Sequence, residues 1–294
     1  DWRVAEQPWR HAGCSRVSDL SLPSLSPFYK TETVINILKT LLIAGGIAYI
    51  GLIASALWIT PRLLYPAPES GYRMGEPYEF IDVDGGERIA MIYLPKEGAT
   101  ELILFHHGNG EDLSHLEGRF EDFNARGFAV LSCDYPSYGH SDGTPNEESL
   151  YRSGDAIWNH AIEELGWKPS QIIHYGYSLG SGVAFELATL HPARAVVIEG
   201  AFKSIFRLYT VVRLLPWELF NNIAKVNELQ APLLVVHGTE DVTVPFSNGV
   251  ALAKAGPEGT RFVIAEGAGH ADVWDTLGEE FWTELNSFLS TTQP

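Results

Sequence analysis

The chain has 294 residues, 45% of them hydrophobic, enough for one large α/β domain with an appendage but not for two full domains. Its 20 basic and 37 acidic residues leave a net charge of −17, which repels a phosphate backbone over most of the surface and argues against nucleic acid as a partner. Two cysteines, Cys14 in a polar stretch and Cys133 at the end of an apolar one, make a disulfide framework improbable and leave the compartment open.

Residues 1–38 read as an N-terminal tail, with SRVSDLSLPSLSP over 15–27 its most loop-like part, and the start at Asp1 rather than Met leads us to expect that the true N-terminus is missing. Residues 40–59, TLLIAGGIAYIGLIASALWI, carry no charge, and at about 1.5 Å per residue they cover about 30 Å, the thickness of a bilayer core. A single transmembrane helix is therefore expected over 39–61. Lys39 and Arg62 bracket it, Phe28, Tyr29, Trp58 and Tyr65 sit near its ends, and Pro61 is expected to stop it. The alternatives are a buried core helix and a signal segment cleaved near Ala54-Ser55-Ala56, which suit so long and so late an apolar run less well. Arg3, Arg10, Arg16, Lys30 and Lys39 precede the run and only Arg62 and Arg73 follow closely. By a narrow margin this favours a cytoplasmic N-terminus and a domain on the far side. Small residues recur four apart at Ala44 and Ala48 and at Gly51 and Ser55, but no oligomeric state follows from them.

From Tyr78 onward apolar runs alternate with helical patterns, the order of a mostly parallel sheet covered on both faces. Strands are expected at 78–83, 88–94, 101–106, 127–133, 171–175, 195–199, 232–237 and 261–265. After the third comes the turn His107-Gly108-Asn109-Gly110. Leu113, Leu116, Phe120 and Phe123 then recur at helical spacing, giving a helix over 112–126. Thr144-Pro145-Asn146-Glu147 opens another, with Thr144 as its cap and Glu147 closing a capping box. Further helices are expected near 179–190, 246–255 and 278–290.

The fifth strand passes into its helix through Gly176-Tyr177-Ser178-Leu179-Gly180, the G-x-S-x-G spacing of a nucleophile elbow. A strand that turns at once into a helix takes its central residue through a strained conformation, and glycines two positions either side leave room for it. An alcohol is a weak nucleophile at neutral pH, so Ser178 needs an imidazole to take its proton and a carboxylate to orient that imidazole. Asp241 follows the seventh strand and His270 the eighth. Loops after parallel strands leave at one sheet edge, so the three can converge. Glu240 is the rival to Asp241, while His237 closes a strand and reads as structural. The third requirement is a pair of N–H groups for the oxygen that becomes negative, assigned to Leu179 and Asn109. His106 and His107 are read as supports of that turn. No metal-binding motif is present, so neither metal nor cofactor is expected.

Residues 201–230, AFKSIFRLYTVVRLLPWELFNNIAKVNELQ, are longer than an ordinary connection and too apolar for a solvated loop. They read as a short helical cap over the sheet's carboxyl edge, lining an apolar pocket or resting on the membrane, or else as a crossover helix with one apolar face.

The blocks HHGNGEDL, DYPSYGHSDGTP, GYSLGSGVAFELA, EGAFKSI and APLLVVHGTEDVTVPFSNGVAL, in that order, resemble those of the α/β-hydrolase superfamily over about residues 72–292. The resemblance is closest to a membrane-anchored ABHD-type branch that includes lysophospholipid lipases and protein depalmitoylases. It implies an α/β-hydrolase fold with a mostly parallel eight-stranded sheet, a triad at Ser178, Asp241 and His270, and oxyanion donors at Asn109 and Leu179. Asp134 and Tyr138 fall in a block beside the pocket and receive no chemistry. The depalmitoylase branch is held to membranes by an acylated N-terminal cysteine cluster, whereas this chain has Cys14 alone and a spanning helix, so depalmitoylation is not carried over. The expected function is a membrane-anchored serine hydrolase that cleaves an ester or thioester of a lipid or small molecule through an acyl-enzyme. A serine peptidase of the same fold and a non-catalytic scaffold are the alternatives.

Overall fold

The computed structural model describes residues 27–83, 85–210 and 214–292. The tail to residue 26, with Cys14, Arg3, Arg10 and Arg16, lies outside the described residues, as do Val212 and the side chains of Phe28, Tyr29, Arg62 and Tyr209. Two compact units are present, one ending at Ala54 and the other beginning at Ser55.

The first helix, α1 (Pro27–Leu64), is longer at both ends than the apolar run suggested. Its part from Lys30 to Trp58 is long and apolar enough to cross a membrane, with a mean hydropathy of 2.0. Pro61 does not stop it, because the helix continues to Leu64. Proline removes one N–H and crowds the carbonyl four residues back, which can bend a helix without ending it.

All eight expected strands form: β1 (Tyr78–Val83), β2 (Glu87–Leu94), β3 (Leu102–His106), β4 (Ala129–Cys133), β5 (Ile172–Tyr177), β6 (Ala195–Glu199), β7 (Leu233–Gly238) and β8 (Arg261–Ala265). They join one sheet in the order β1-β2-β4-β3-β5-β6-β7-β8. The β1–β2 and β2–β4 pairs are antiparallel and all the others parallel. Every residue of β3 through β7 is buried, as expected of parallel strands covered on both sides. β5 runs two residues past its expected end because Gly176 and Tyr177 still pair with Ile198 and Glu199.

The helices after the sheet begins are α2 (Glu117–Ala125), α3 (Glu147–Glu163), α4 (Gly180–Leu190), α5 (Phe206–Tyr209), α6 (Asn222–Lys225), α7 (Ser247–Ala255), α8 (Val273–Leu277) and α9 (Glu279–Thr291). Phe120 and Phe123 of α2 and Phe281 and Phe288 of α9 pack with Phe105 and Tyr175 on one sheet face. Ile157 of α3, Phe185 of α4 and Leu252 of α7 cover the other.

The expected helix over 112–126 divides. Asp112 Oδ1 accepts the Ser114 N–H at 3.0 Å and caps a tight turn over Leu113–Leu116, after which α2 begins. The cap of α3 is Asn146 rather than Thr144: Asn146 Oδ1 and Ser149 Oγ accept each other's backbone N–H at 2.9 Å. Asparagine is the stronger cap. Glu147 is occupied instead by the Phe220 N–H at 2.8 Å and the Tyr151 hydroxyl at 2.7 Å. Between β6 and β7 there is no single crossover helix among the described residues. The short helices α5 and α6 and a turn over Val226–Glu228 are joined by irregular chain. Buried Phe202, Ile205 and Phe220 anchor this cap on Leu179 and Tyr138.

Candidate active site at the carboxyl edge of the sheet

Ser178 stands between β5 and α4 with φ 49°, the left-handed region that a side chain other than glycine's rarely occupies. The glycines on either side are there for space. A Cβ on Gly176 would lie 2.6 Å from Ser181 Cα, and one on Gly180 would strike the His106 carbonyl. The elbow is held from below by the Ser178 N–H donating to Glu199 O at 2.9 Å, and from ahead by the Ser181 hydroxyl donating to Ser178 O at 2.6 Å.

Of the residues expected from sequence, the three side chains of the triad meet. His270 Nε2 lies 2.8 Å from Ser178 Oγ and His270 Nδ1 lies 2.7 Å from Asp241 Oδ2. Burial pushes the Asp241 carboxyl up, but hydrogen bonds from His237, His270 and the Val244 N–H outweigh it and hold the group well below the usual carboxylate range. An anionic carboxylate can only accept, so His270 Nδ1 carries the proton and the Nε2 lone pair faces the serine hydroxyl. Asp241 Oδ1 also accepts the N–H groups of Thr243 at 2.9 Å and Val244 at 2.7 Å. The rival Glu240 contributes a backbone N–H to Ala268 O instead.

His237, read from the sequence as structural, touches the site: its Nε2 is 2.8 Å from Val244 O and 3.3 Å from Asp241 Oδ2. Among the described residues the N–H groups of Asn109 and Leu179 have no partner in the protein. The Asn109 side chain is clamped at both ends. Its Nδ2 donates to Leu64 O at 2.6 Å and its Oδ1 accepts the Tyr138 hydroxyl at 2.6 Å. Tyr138, which sequence left without a role, thus braces this turn. His107 supports it too, with Nδ1 2.8 Å from Gly108 O, and burial pushes its imidazole down to about 4. His106 instead faces His174 across β3 and β5, at 3.4 Å.

Sequence reading missed the group behind His270. Buried Glu199 Oε2 accepts the Tyr175 hydroxyl at 2.6 Å, Trp274 Nε1 at 2.9 Å and Arg119 Nη1 at 3.1 Å. The Arg119 guanidinium lies over the rings of Tyr177 and Trp274, and the Tyr177 hydroxyl donates to His270 O at 3.3 Å. Gly200 has φ 57°, and a Cβ there would lie 2.9 Å from His270 Cε1. The signal was in the block EGAFKSI, which puts an acid and a glycine at the end of a strand whose loop opens on the same edge as the elbow.

With this geometry in view, residues 98–219 match the family model described as serine aminopeptidase, S33. Alpha/beta hydrolase domain-containing protein 17B of Homo sapiens is 32% identical over 209 residues, covering 70% of this chain and 72% of that protein. The 17C protein of Mus musculus is 32% identical over 195 residues, covering 65% of this chain and 60% of that protein. Among solved structures, an esterase of Pyrococcus furiosus superposes with a TM-score of 0.65 at 15% identity, covering 78% of this chain and 99% of its own. The α/β hydrolase GrgF of Penicillium sp. sh18 does so with a TM-score of 0.63 at 15% identity, covering 74% and 98%. At that identity these structures speak to the fold alone.

Proposed function

The chain belongs to the α/β-hydrolase family, with the alpha/beta hydrolase domain-containing 17 proteins among its relatives, and from that premise we propose that it is a membrane-anchored serine hydrolase of acyl esters or thioesters. The hydrolase unit is taken as residues 72–292, with its cap at about 201–230, and residues 39–61 of α1 as the anchor. The observation that carries the reading is the 2.8 Å contact of His270 Nε2 with Ser178 Oγ, backed by the 2.7 Å contact of His270 Nδ1 with Asp241.

In this reading Ser178 Oγ attacks the acyl carbon as its proton passes to His270 Nε2, and the carbonyl π pair moves onto oxygen. The N–H groups of Asn109 and Leu179 stabilise that oxyanion, a kind of contact worth about 10²–10³ in turnover per donor. The pair returns, the C–O or C–S bond breaks, and His270 gives its proton to the leaving alcohol or thiol. Water then surrenders a proton to Nε2 and attacks the acyl-enzyme. Collapse of that intermediate releases the acid and returns the proton to Ser178. Asp241 stays anionic throughout, orienting the imidazole and stabilising its cation.

The matched family model is described as a serine aminopeptidase. The ester reading is preferred because the cap beside the serine is anchored by the apolar side chains Phe202, Ile205 and Phe220. The excess of Lys and Arg ahead of the apolar run 40–59 favours, by a narrow margin, a hydrolase unit on the extracytoplasmic side, to be read by protease access in intact and opened cells. The decisive experiment is fluorophosphonate labelling of the full chain in detergent. Adduct at Ser178, lost in Ser178→Ala, is the expected result, and labelling that survives the substitution overturns the assignment.

A further inference from the structure

The last carbonyl of α1 ends on the turn assigned to the oxyanion. Leu64 closes α1, and the final carbonyls of a helix have no N–H within that helix to accept. Asn109 Nδ2 fills the need, donating to Leu64 O at 2.6 Å. The residue that caps α1 is thus the one whose own N–H is proposed above as an oxyanion donor.

From Tyr65 to Tyr72 the chain keeps to the same neighbourhood. Tyr65 is buried in the apolar cluster that holds Leu179 and Tyr138, with Leu64 and Ala67 packed against it. Pro66 lies in a tight turn, closed by the Ala67 N–H on Tyr65 O at 2.9 Å, and an added Cβ on Gly110 would lie 3.9 Å from Pro66 Cγ. The far end is tied as well. The Gly71 N–H donates to Asp112 Oδ2 at 2.6 Å, and the Tyr72 hydroxyl is bonded to Asp134 Oδ2 at 2.5 Å. Those two acids also hold the tight turn that follows the oxyanion turn, Asp112 through the Ser114 N–H and Asp134 through the Leu113 N–H.

The oxyanion turn needs this support. Gly108 and Gly110 flank Asn109, with Gly110 at φ 75°, and glycine leaves the neighbouring peptide planes freer to turn. The Gly108 N–H is fixed by Glu111 Oε2 at 2.9 Å. The Asn109 N–H is left for substrate, and its orientation is set through the side chain, held by Leu64 O on one side and by the Tyr138 hydroxyl at 2.6 Å on the other. A group displaced by about 1 Å can cost about 10²-fold in rate.

We propose that Leu64–Tyr72 is a positioning strut for the oxyanion hole: it grips the Asn109 side chain and so aims the Asn109 N–H at the reacting carbonyl. The segment that leaves α1 then sets turnover as well as attachment. The proposal rests on the serine-hydrolase reading and adds positioning residues to that site. Leu64, Pro66 and Ala67 act through Asn109 and not on substrate.

The test uses the full chain in detergent with a p-nitrophenyl ester, the matching thionoester and a trifluoromethyl ketone of the same acyl chain. Ser178 adds to the ketone carbonyl as its proton passes to His270, and the resulting oxyanion sits on the same N–H groups, so the ketone Ki follows transition-state binding. Sulfur accepts hydrogen bonds weakly, so the thionoester draws little on those donors. Asn109→Ala keeps the N–H and removes the grip. It is expected to lower ester kcat by about 10–100-fold with KM nearly unchanged, to raise the ketone Ki by a like factor, and to leave thionoester turnover within about threefold. Pro66→Gly with Ala67→Gly slackens the strut at an exposed and a half-buried position. That pair is expected to lower ester kcat about fivefold alone and less than about twofold further in the Asn109→Ala background, because both changes act on one donor. Wild-type kcat and ketone Ki in Asn109→Ala overturn the proposal, as does a loss shared equally by ester and thionoester. So do wild-type ester kcat in the slackened variant and losses that multiply when the variants are combined. If Asn109→Ala fails to fold, the slackened variant decides, and an unmoved ester-to-thionoester ratio overturns the proposal. Failure of the wild type itself to label with fluorophosphonate at Ser178 would instead remove the serine-hydrolase reading beneath it.

Discussion

The N–H of Ser178 donates to the carbonyl of Glu199 at 2.9 Å, while the carboxylate of Glu199 accepts Trp274 Nε1 at 2.9 Å, four residues past His270. One residue at the end of β6 therefore grips the strained elbow with its backbone and the histidine loop with its side chain. Glu199 thus links the Ser178 backbone to the loop that carries His270 through its hydrogen bonds to Ser178 N–H and Trp274 Nε1.

Replacing Glu199 by Gln keeps the shape and removes the charge. It leaves the Arg119 guanidinium, largely buried, without its counter-ion, which is expected to cost about 3–5 kcal/mol of stability. Because Trp274 and Tyr175 lose a charged acceptor, kcat should fall about tenfold or more with KM nearly unchanged. Adding Arg119→Met should recover most of the stability, since a buried pair replaced together is far less damaging than one partner removed, without recovering kcat. Thermal unfolding and ester kinetics on the single and double variants check this, and a double variant with full kcat would show that Glu199 matters only for folding.

Ser178 at φ 49° should carry a stability cost that its chemistry requires. Ser178→Gly and Ser178→Ala both lack the hydroxyl and should be inactive. Glycine accepts that backbone conformation, so Ser178→Gly is expected to be more stable than Ser178→Ala by about 1 kcal/mol. Denaturant unfolding of the two variants measures the difference. Equal stability would mean that the elbow is unstrained.

Asp241→Asn keeps the volume but offers an amide where a carboxylate now accepts from His270, Thr243 and Val244. The imidazole loses the partner that keeps its proton on Nδ1. A fall in kcat of about 10⁴ is expected for such a tautomer fault, with substrate binding little changed. Comparable single-turnover acylation rates in variant and wild type would contradict the assigned role of Asp241.

The sequence was most legible where one local rule decided the outcome. Apolar runs of strand length located all eight strands, because β3 through β7 are buried on every residue and so cannot alternate. The G-x-S-x-G spacing located the elbow because only glycine fits at positions 176 and 180. Ends were less legible. Thr144 and Asn146 are both competent caps, and the choice fell to Asn146 through Ser149 and through the recruitment of Glu147 by Phe220, some 70 residues distant. Pro61 looked like a stop although the helix passes through it. The Glu199, Arg119 and Trp274 group stayed hidden because its members come from three separate elements and share no spacing. The Asn109 clamp joins Leu64 to Tyr138 in the same way.

Asp134 is buried among Tyr72, Leu113 and His107, with Oδ2 2.5 Å from the Tyr72 hydroxyl and Oδ1 3.0 Å from the Leu113 N–H. Burial pushes its carboxyl up to about 7. The Tyr72 bond and the Leu113 N–H oppose the shift and the nearby Asp112 charge adds to it. In the unfolded chain the same carboxyl titrates near 4. Between about pH 4 and 7 the folded protein therefore holds a proton that the unfolded chain has lost. The contribution to stability is fully present below pH 4 and disappears as pH rises through 7, at up to about 1.4 kcal/mol per pH unit. Asp134→Asn is neutral at every pH and lacks that dependence. The buried imidazoles of His107 and His174, pushed down by burial to about 4 and about 3, act in the opposite sense, but they are present in both proteins and largely cancel in the difference. The Tm of Asp134→Asn minus that of the wild type should therefore rise from pH 5 to about pH 7 and level off by pH 8, whatever its absolute sign. Calorimetry across that range decides the matter, and a difference independent of pH would mean that Asp134 is ionised at pH 5 as an ordinary surface carboxylate is.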